Sequence, residues 1–167
     1  MEGNESGRVS RVMFAVGGPV VIGAILGLPH APEGIGRGAL VIPAILLGVG
    51  LATLPALYIG CSLAGVAPPA RDVATAALRA ARNGGVVFAG LALPLAFLIA
   101  SASGGGVVPV LGMMAISVGG FAALRAIWRD LFAIDPSRRA RQDAGAIFGV
   151  WAVLALAIGG RLLVENL

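Results

Sequence analysis

The sequence predicts an all-α fold: a polytopic membrane helical bundle of about five transmembrane helices, with one short amphipathic interfacial helix. Three observations carry this reading. The 167 residues are 58% hydrophobic and only 12% charged, outside the range of a soluble domain of that length. Apolar runs of roughly 17 to 25 residues recur along the whole chain, and that length spans a hydrocarbon core as helix. The runs do not alternate apolar with polar residues, as the strands of a transmembrane barrel would.

The elements follow in order. Residues 1–11, MEGNESGRVSR, are polar and read as a cytoplasmic N-terminal tail; residues 12–167 read as a single membrane domain. The first span covers about residues 12–28. Basic residues before a short apolar core also describe a signal peptide. However, Pro29-His30-Ala31 makes a poor cleavage site and apolar sequence resumes almost at once, so a retained span is expected. The loop PHAPEGIGRG carries His30, Glu33 and Arg37. The second span, about 39–64, is long enough to tilt. Pro68-Pro69 opens the segment ARDVATAALRAARN, and proline suits the first turn of a helix. Arg71, Arg79 and Arg82, with small apolar residues between them, suggest an amphipathic arm near the lipid headgroups. Asn83-Gly84-Gly85 either breaks that arm or lets it bend into the third span, about 85–102. The linker 103–106 is so short that spans three and four, the latter about 107–127, must form a tight antiparallel hairpin. Asp135 and Pro136 read as the N-cap and first turn of a helix that runs into the fifth span, about 144–163.

The basic residues set an orientation. All 12 are arginine. Arg8 and Arg11, then Arg71, Arg79 and Arg82, then Arg125, Arg129, Arg138, Arg139 and Arg141 fall in segments sharing one side, leaving Arg37 and Arg161 on the other. This bias predicts a cytoplasmic N-terminus and an outside C-terminus. The same placement accounts for the net charge of +4 as solvated flank, not a nucleic-acid surface. The lysine-free, Ala/Gly/Val-rich composition suggests a GC-rich bacterial genome and hence the inner, cytoplasmic membrane. Lipid or partner contact is the further reading for Arg71, Arg79 and Arg82 and for the cluster Arg138, Arg139 and Arg141.

Chemistry is scarce. Without lysine there is no Walker-type phosphate lysine, Schiff base or Ser-Lys dyad. One cysteine and one histidine cannot make a zinc site or a disulfide within one chain. The acidic residues all fall in tails, loops or span ends, which argues against an ion or proton pathway. Ser117 in AISVGG resembles a nucleophile turn with its first glycine replaced, but the only candidate base, His30, lies at the far end of another span. No enzyme activity, cofactor or metal is expected. Cys61 reads as a small packing residue before a palmitoylation site, and Tyr58, Trp128 and Phe132 as interfacial aromatics.

Pro43, Pro55 and Pro94 are the expected kinks. Kinked spans mark a transporter site or merely shape the bundle. LALPLAF around Pro94 echoes LATLPALY around Pro55, which duplication and chance explain equally well. Small residues recur every fourth position: Gly23 and Gly27; Ala52, Ala56 and Gly60; Ala115, Gly119 and Ala123; Gly145 and Gly149. That spacing lets helix backbones approach closely, for internal packing before homo-oligomerisation.

The stretch ALVIPAILLGVGLATLPALYIGCSLAG, followed by PPARDVATAALRAARNGGVVFAGLALPLAFLIA, resembles the Yip-domain superfamily, the Rab-interacting five-span membrane proteins, and its bacterial relatives. The likeness covers about residues 12–132. It implies five spans, termini on opposite sides, and a membrane-organising or partner-binding role with no catalytic motif. The expected partners are membrane lipid and either another protein or a second copy of the chain, without nucleic acid. The rival expectation is a small transporter or channel subunit using spans two and three, with Thr53, Ser62, Ser101 and Ser117 lining a lumen.

Overall fold

In a computed structural model the described residues form five α-helices. Residues 3–30, 32–63, 65, 69–102, 106–132 and 138–166 are described; for 3–11, 132, 138–142 and 144 the description is of the backbone alone. The helices are α1 (Gly3–Leu26), α2 (Glu33–Leu63), α3 (Ala70–Ser101), α4 (Val107–Phe132) and α5 (Arg138–Asn166), with a 3-10 turn at Leu28–His30. The all-α bundle expected from the apolar runs is the fold observed. Glu33–Leu63, Ala70–Ser101, Val107–Leu131 and Gly145–Asn166 are each long and apolar enough to cross a membrane. The apolar part of α1, Val12–Leu26, is shorter, about 22 Å at 1.5 Å per residue against a hydrocarbon core of about 30 Å.

The helices overrun the apolar runs. α1 is already helical from Gly3, within the stretch expected to be a polar tail. At the other boundary α3 runs through Asn83, Gly84 and Gly85 without interruption, so the amphipathic arm forms the opening turns of α3. Its apolar face is covered by protein. Val73, Ala76 and Ala80 are buried with Leu57 and Cys61 of α2, Ala126, Ile127 and Leu131 of α4, and Trp151 of α5. This places Cys61 in the core, as a small packing residue. A second core lies further along the bundle: Ile22 and Leu26 of α1, Phe88, Leu95 and Ile99 of α3, and Val108 and Ala115 of α4.

Contacts between named residues give the helix directions. Gly23 meets Gly38 and Gly27 meets Gly34, so α1 and α2 are antiparallel. Gly84 meets Gly119 and Ala123, while Ile99 and Val108 share a core, so α3 and α4 are antiparallel as the short linker requires. Gly60 meets Ile147 while Thr53 meets Trp151, so α2 and α5 are antiparallel.

Glycine sets how closely α1 approaches its neighbours. A Cβ on Gly85 would overlap the carbonyl of Phe14, and one on Gly18 would overlap the carbonyl of Gly85. The Gly23/Gly38 and Gly27/Gly34 pairs are equally tight. Backbones this close gain dispersion along the whole crossing. The small-residue spacing is thus used for internal packing at Gly23 and Gly27, and at Gly119 against Phe88. It is used in part elsewhere: Gly145 touches the Trp128 ring, Gly149 faces open space, and Ala52 and Ala56 are exposed while Gly60 packs on Ile147. Gly65 is the position that needs glycine for its backbone: it closes the end of α2 at φ 70°, its N–H donating to the Ser62 carbonyl at 3.1 Å.

Candidate functional site

The hydroxyl groups that would line a lumen are not gathered. Thr53 and Ser62 sit on α2, Ser101 on α3 and Ser117 on α4, and all but Thr53 are exposed. Thr53 donates to the carbonyl of Val49 at 2.8 Å, Ser62 to Tyr58 at 3.0 Å and Ser117 to Met113 at 2.7 Å, each four residues back on its own helix. Hydroxyls satisfied this way offer little to a solute. Among the described residues no polar or charged side chain is buried.

The prolines expected to shape the spans lie inside helices: Pro43 and Pro55 in α2 and Pro94 in α3. Pro19 in α1 is a fourth, not singled out by the sequence reading. Pro43 and Pro19 are buried, whereas Pro55 and Pro94 are exposed. Beside Pro55 the indole Nε1 of Trp151 donates to the Thr53 carbonyl at 2.8 Å, tying α5 to α2. Trp151 is buried and packs on Phe148, whose ring centroid lies 5.6 Å away; Phe148 in turn packs on Trp128 at 5.3 Å. The sequence carries a signal for this contact. An indole N–H in mid-span has no water to bond and must find a carbonyl.

Among the described side chains, the arginines divide into those with an ion-pair partner and those without one. Arg79 donates to Oδ2 of Asp130 at 3.3 Å, and Arg129 lies 3.6 Å from Oδ1 of the same carboxylate. Asp130 is largely shielded, its side chain 12% exposed, whereas Arg79 is more than half exposed. Arg79, expected to touch lipid or a partner, therefore also ties the arm of α3 to the end of α4. Arg71 pairs loosely with its neighbour Asp72 at 3.7 Å, and Arg82 is exposed. The backbone of Arg138, Arg139 and Arg141 forms the first turn of α5; their side chains, like that of Phe132, lie outside the described residues. Tyr58 is exposed and Trp128 half-buried, beside this arginine-bearing end. At the other end Arg161 bonds Glu165 at 2.9 Å within α5.

Two residues that organise this end, Asp130 and Trp151, were not among the site residues expected. Local sequence does not mark Asp130 as the partner of Arg79, because 51 residues separate the pair. Comparison with protein-family profiles, with curated proteins and with solved structures gave no match.

Proposed function

We propose that this integral membrane protein acts without catalysis, organising the membrane or holding a partner, and does not conduct solutes. The observation that supports this is the dry interior: backbones packed on glycine, with no buried polar side chain among the described residues. A conduction path needs polar groups to replace a solute's hydration, and the hydroxyls of Thr53, Ser62 and Ser117 are spent on their own helices. The resemblance of the α2 and α3 sequences to Yip-domain proteins supports the same role. The proposed setting is a bacterial inner membrane, with lipid and a protein partner or second copy as the bound species. The arginine bias supports a cytoplasmic N-terminus and an outside C-terminus.

Purified protein reconstituted into dye-loaded vesicles tests the functional reading. Ion, proton and small-solute permeability should match empty vesicles, while cross-linking in native membranes should trap a discrete protein species. Solute flux above background would move the assignment to a transporter or channel subunit. Compartment-sensitive reporters fused at residues 1 and 167 should report opposite sides; the same side for both would refute the topology.

A further inference from the structure

We infer that the outer face of α4 holds an anionic phospholipid, its phosphate at Arg125 and an acyl chain along Phe121, Val118 and Met114. The stripe comes from helix geometry. Met114, Val118, Phe121 and Arg125 follow one another at spacings of four, three and four, so they lie above one another on one face. All four are exposed, Phe121 by 67% and Met114 by 60%. The face turned inward is a different set, Ala115, Gly119, Ala126 and Ile127.

Two further observations distinguish this face from ordinary lipid-exposed surface. The first is a shallow open groove of about 460 Å³ lined by Pro109, Val110, Met113, Met114, Ser117 and Val118. Its near end, at Val118, lies about 10 Å along the axis from Arg125, within the length of an acyl chain. The second is charge. Arg125 has no ion-pair or hydrogen-bond partner among the described residues. Asp130, further along α4, is engaged by Arg79 and Arg129. Arg129 follows Arg125 by one turn. Arg82 of α3, also exposed and without an ion-pair partner among the described residues, falls at the same level, because Gly84 opposes Ala123 and Arg79 opposes Asp130. An unpaired guanidinium at the top of an apolar stripe presents the two chemistries of a phospholipid in the right order: donors for phosphate oxygens, then hydrocarbon.

The inference uses the membrane-embedded state of the bundle but neither its orientation nor its scaffolding role. The test is native mass spectrometry of the full chain, released from micelles containing equal amounts of phosphatidylglycerol and phosphatidylcholine with identical acyl chains. Wild type should retain phosphatidylglycerol in preference. Arg125→Gln should weaken that retention about fivefold, the factor one cation near an anionic headgroup supplies. Arg125→Lys should recover most of the preference. Arg37→Gln, which removes an exposed arginine without an ion-pair partner among the described residues, at the far end of the bundle, should leave it unchanged. Circular dichroism of each variant establishes that it is folded. Inorganic phosphate at millimolar concentration should not displace the lipid. Equal retention of the two lipids by folded wild type would overturn the proposal, as would unchanged preference in Arg125→Gln, or equal losses at Arg125 and Arg37. Displacement by free phosphate would show that the apolar stripe takes no part and would overturn it too. A protein that fails to insert shows this in wild type, separating failure of the membrane assignment from failure of the lipid site.

Discussion

Gly85→Ala opposes two effects of known sign. Alanine is favoured over glycine in a helix interior by about 1 kcal/mol, so the change is stabilising wherever space is free. At Gly85 it is not free. The added methyl would overlap the carbonyl oxygen and carbon of Phe14 and press on the Cα of Ala15, all backbone atoms of α1. No rotamer change relieves a clash with backbone, so α1 and α3 must separate. Overpacking of this kind costs about 1–3 kcal/mol, and separation also loosens the contact of Gly18 with the Gly85 carbonyl. The net expectation is destabilisation by up to about 2 kcal/mol for Gly85→Ala, and by a similar amount for Gly18→Ala. The two should not add, because either one already opens the same crossing. Gly90 on α3 and Gly149 on α5 are the controls: a Cβ there meets nothing within 4 Å, so Gly90→Ala and Gly149→Ala should be neutral or stabilising. Reversible unfolding in mixed micelles, titrated with denaturing detergent and followed by circular dichroism, reads all four on one scale. Gly85→Ala and Gly18→Ala behaving like the controls would show that α1 does not cross α3 on these glycines.

Three further expectations follow from particular contacts. Trp151→Phe removes the donor to the Thr53 carbonyl and part of a buried ring; it should cost about 1–2 kcal/mol in the same titration, given interhelical bonds in membranes of about 0.6–1.7 kcal/mol, and an unchanged midpoint would count against the tie. Asp130→Asn breaks a pair whose arginine is more than half exposed; the loss should stay under about 1 kcal/mol and shrink in high salt, so a larger, salt-independent loss would mark Asp130 as more than a clamp. Pro55→Ala restores one backbone N–H at an exposed position; the protein should insert and retain partner cross-linking, and a stable, well-inserted variant without cross-linking would make the proline part of a binding site.

The fold was legible because lipid imposes simple rules. Apolar length gave the helices, and short linkers gave their antiparallel order. The glycine spacing in α1 pointed to close packing, and Gly23 and Gly27 are packed that way. What the sequence left open is which helix each small face meets. Spacing by four looks the same at Gly145, which touches Trp128, and at Gly149, which touches nothing. Helix boundaries were legible only as apolar runs: hydropathy ends where polar residues begin, whereas the backbone ladder of α3 continues through Asn83 and both following glycines. The arm's amphipathicity was also ambiguous between lipid and protein. Val73, Ala76 and Ala80 are small enough to let α2 and α4 close over them, and partner helices form a denser contact than mobile acyl chains.

Pro55 shows how a correct local rule still misses its partner. A proline frees the carbonyl four residues back, here that of Leu51, and in lipid a neighbouring span is the natural cover for it. The donor from the neighbouring span instead reaches Thr53, two residues further on. Geometry explains the shift. The Leu51 side chain points outward, 70% exposed, whereas Thr53 is half-buried on the flank that meets α5. A carbonyl has two lone pairs, so Thr53 can accept the indole as well as a bond from its own helix. The same threonine sends its hydroxyl back to Val49, keeping its polar atoms off the lipid. Proline, threonine and tryptophan thus form one unit spread over 98 residues of separation. Only the first two are visible as neighbours in the sequence.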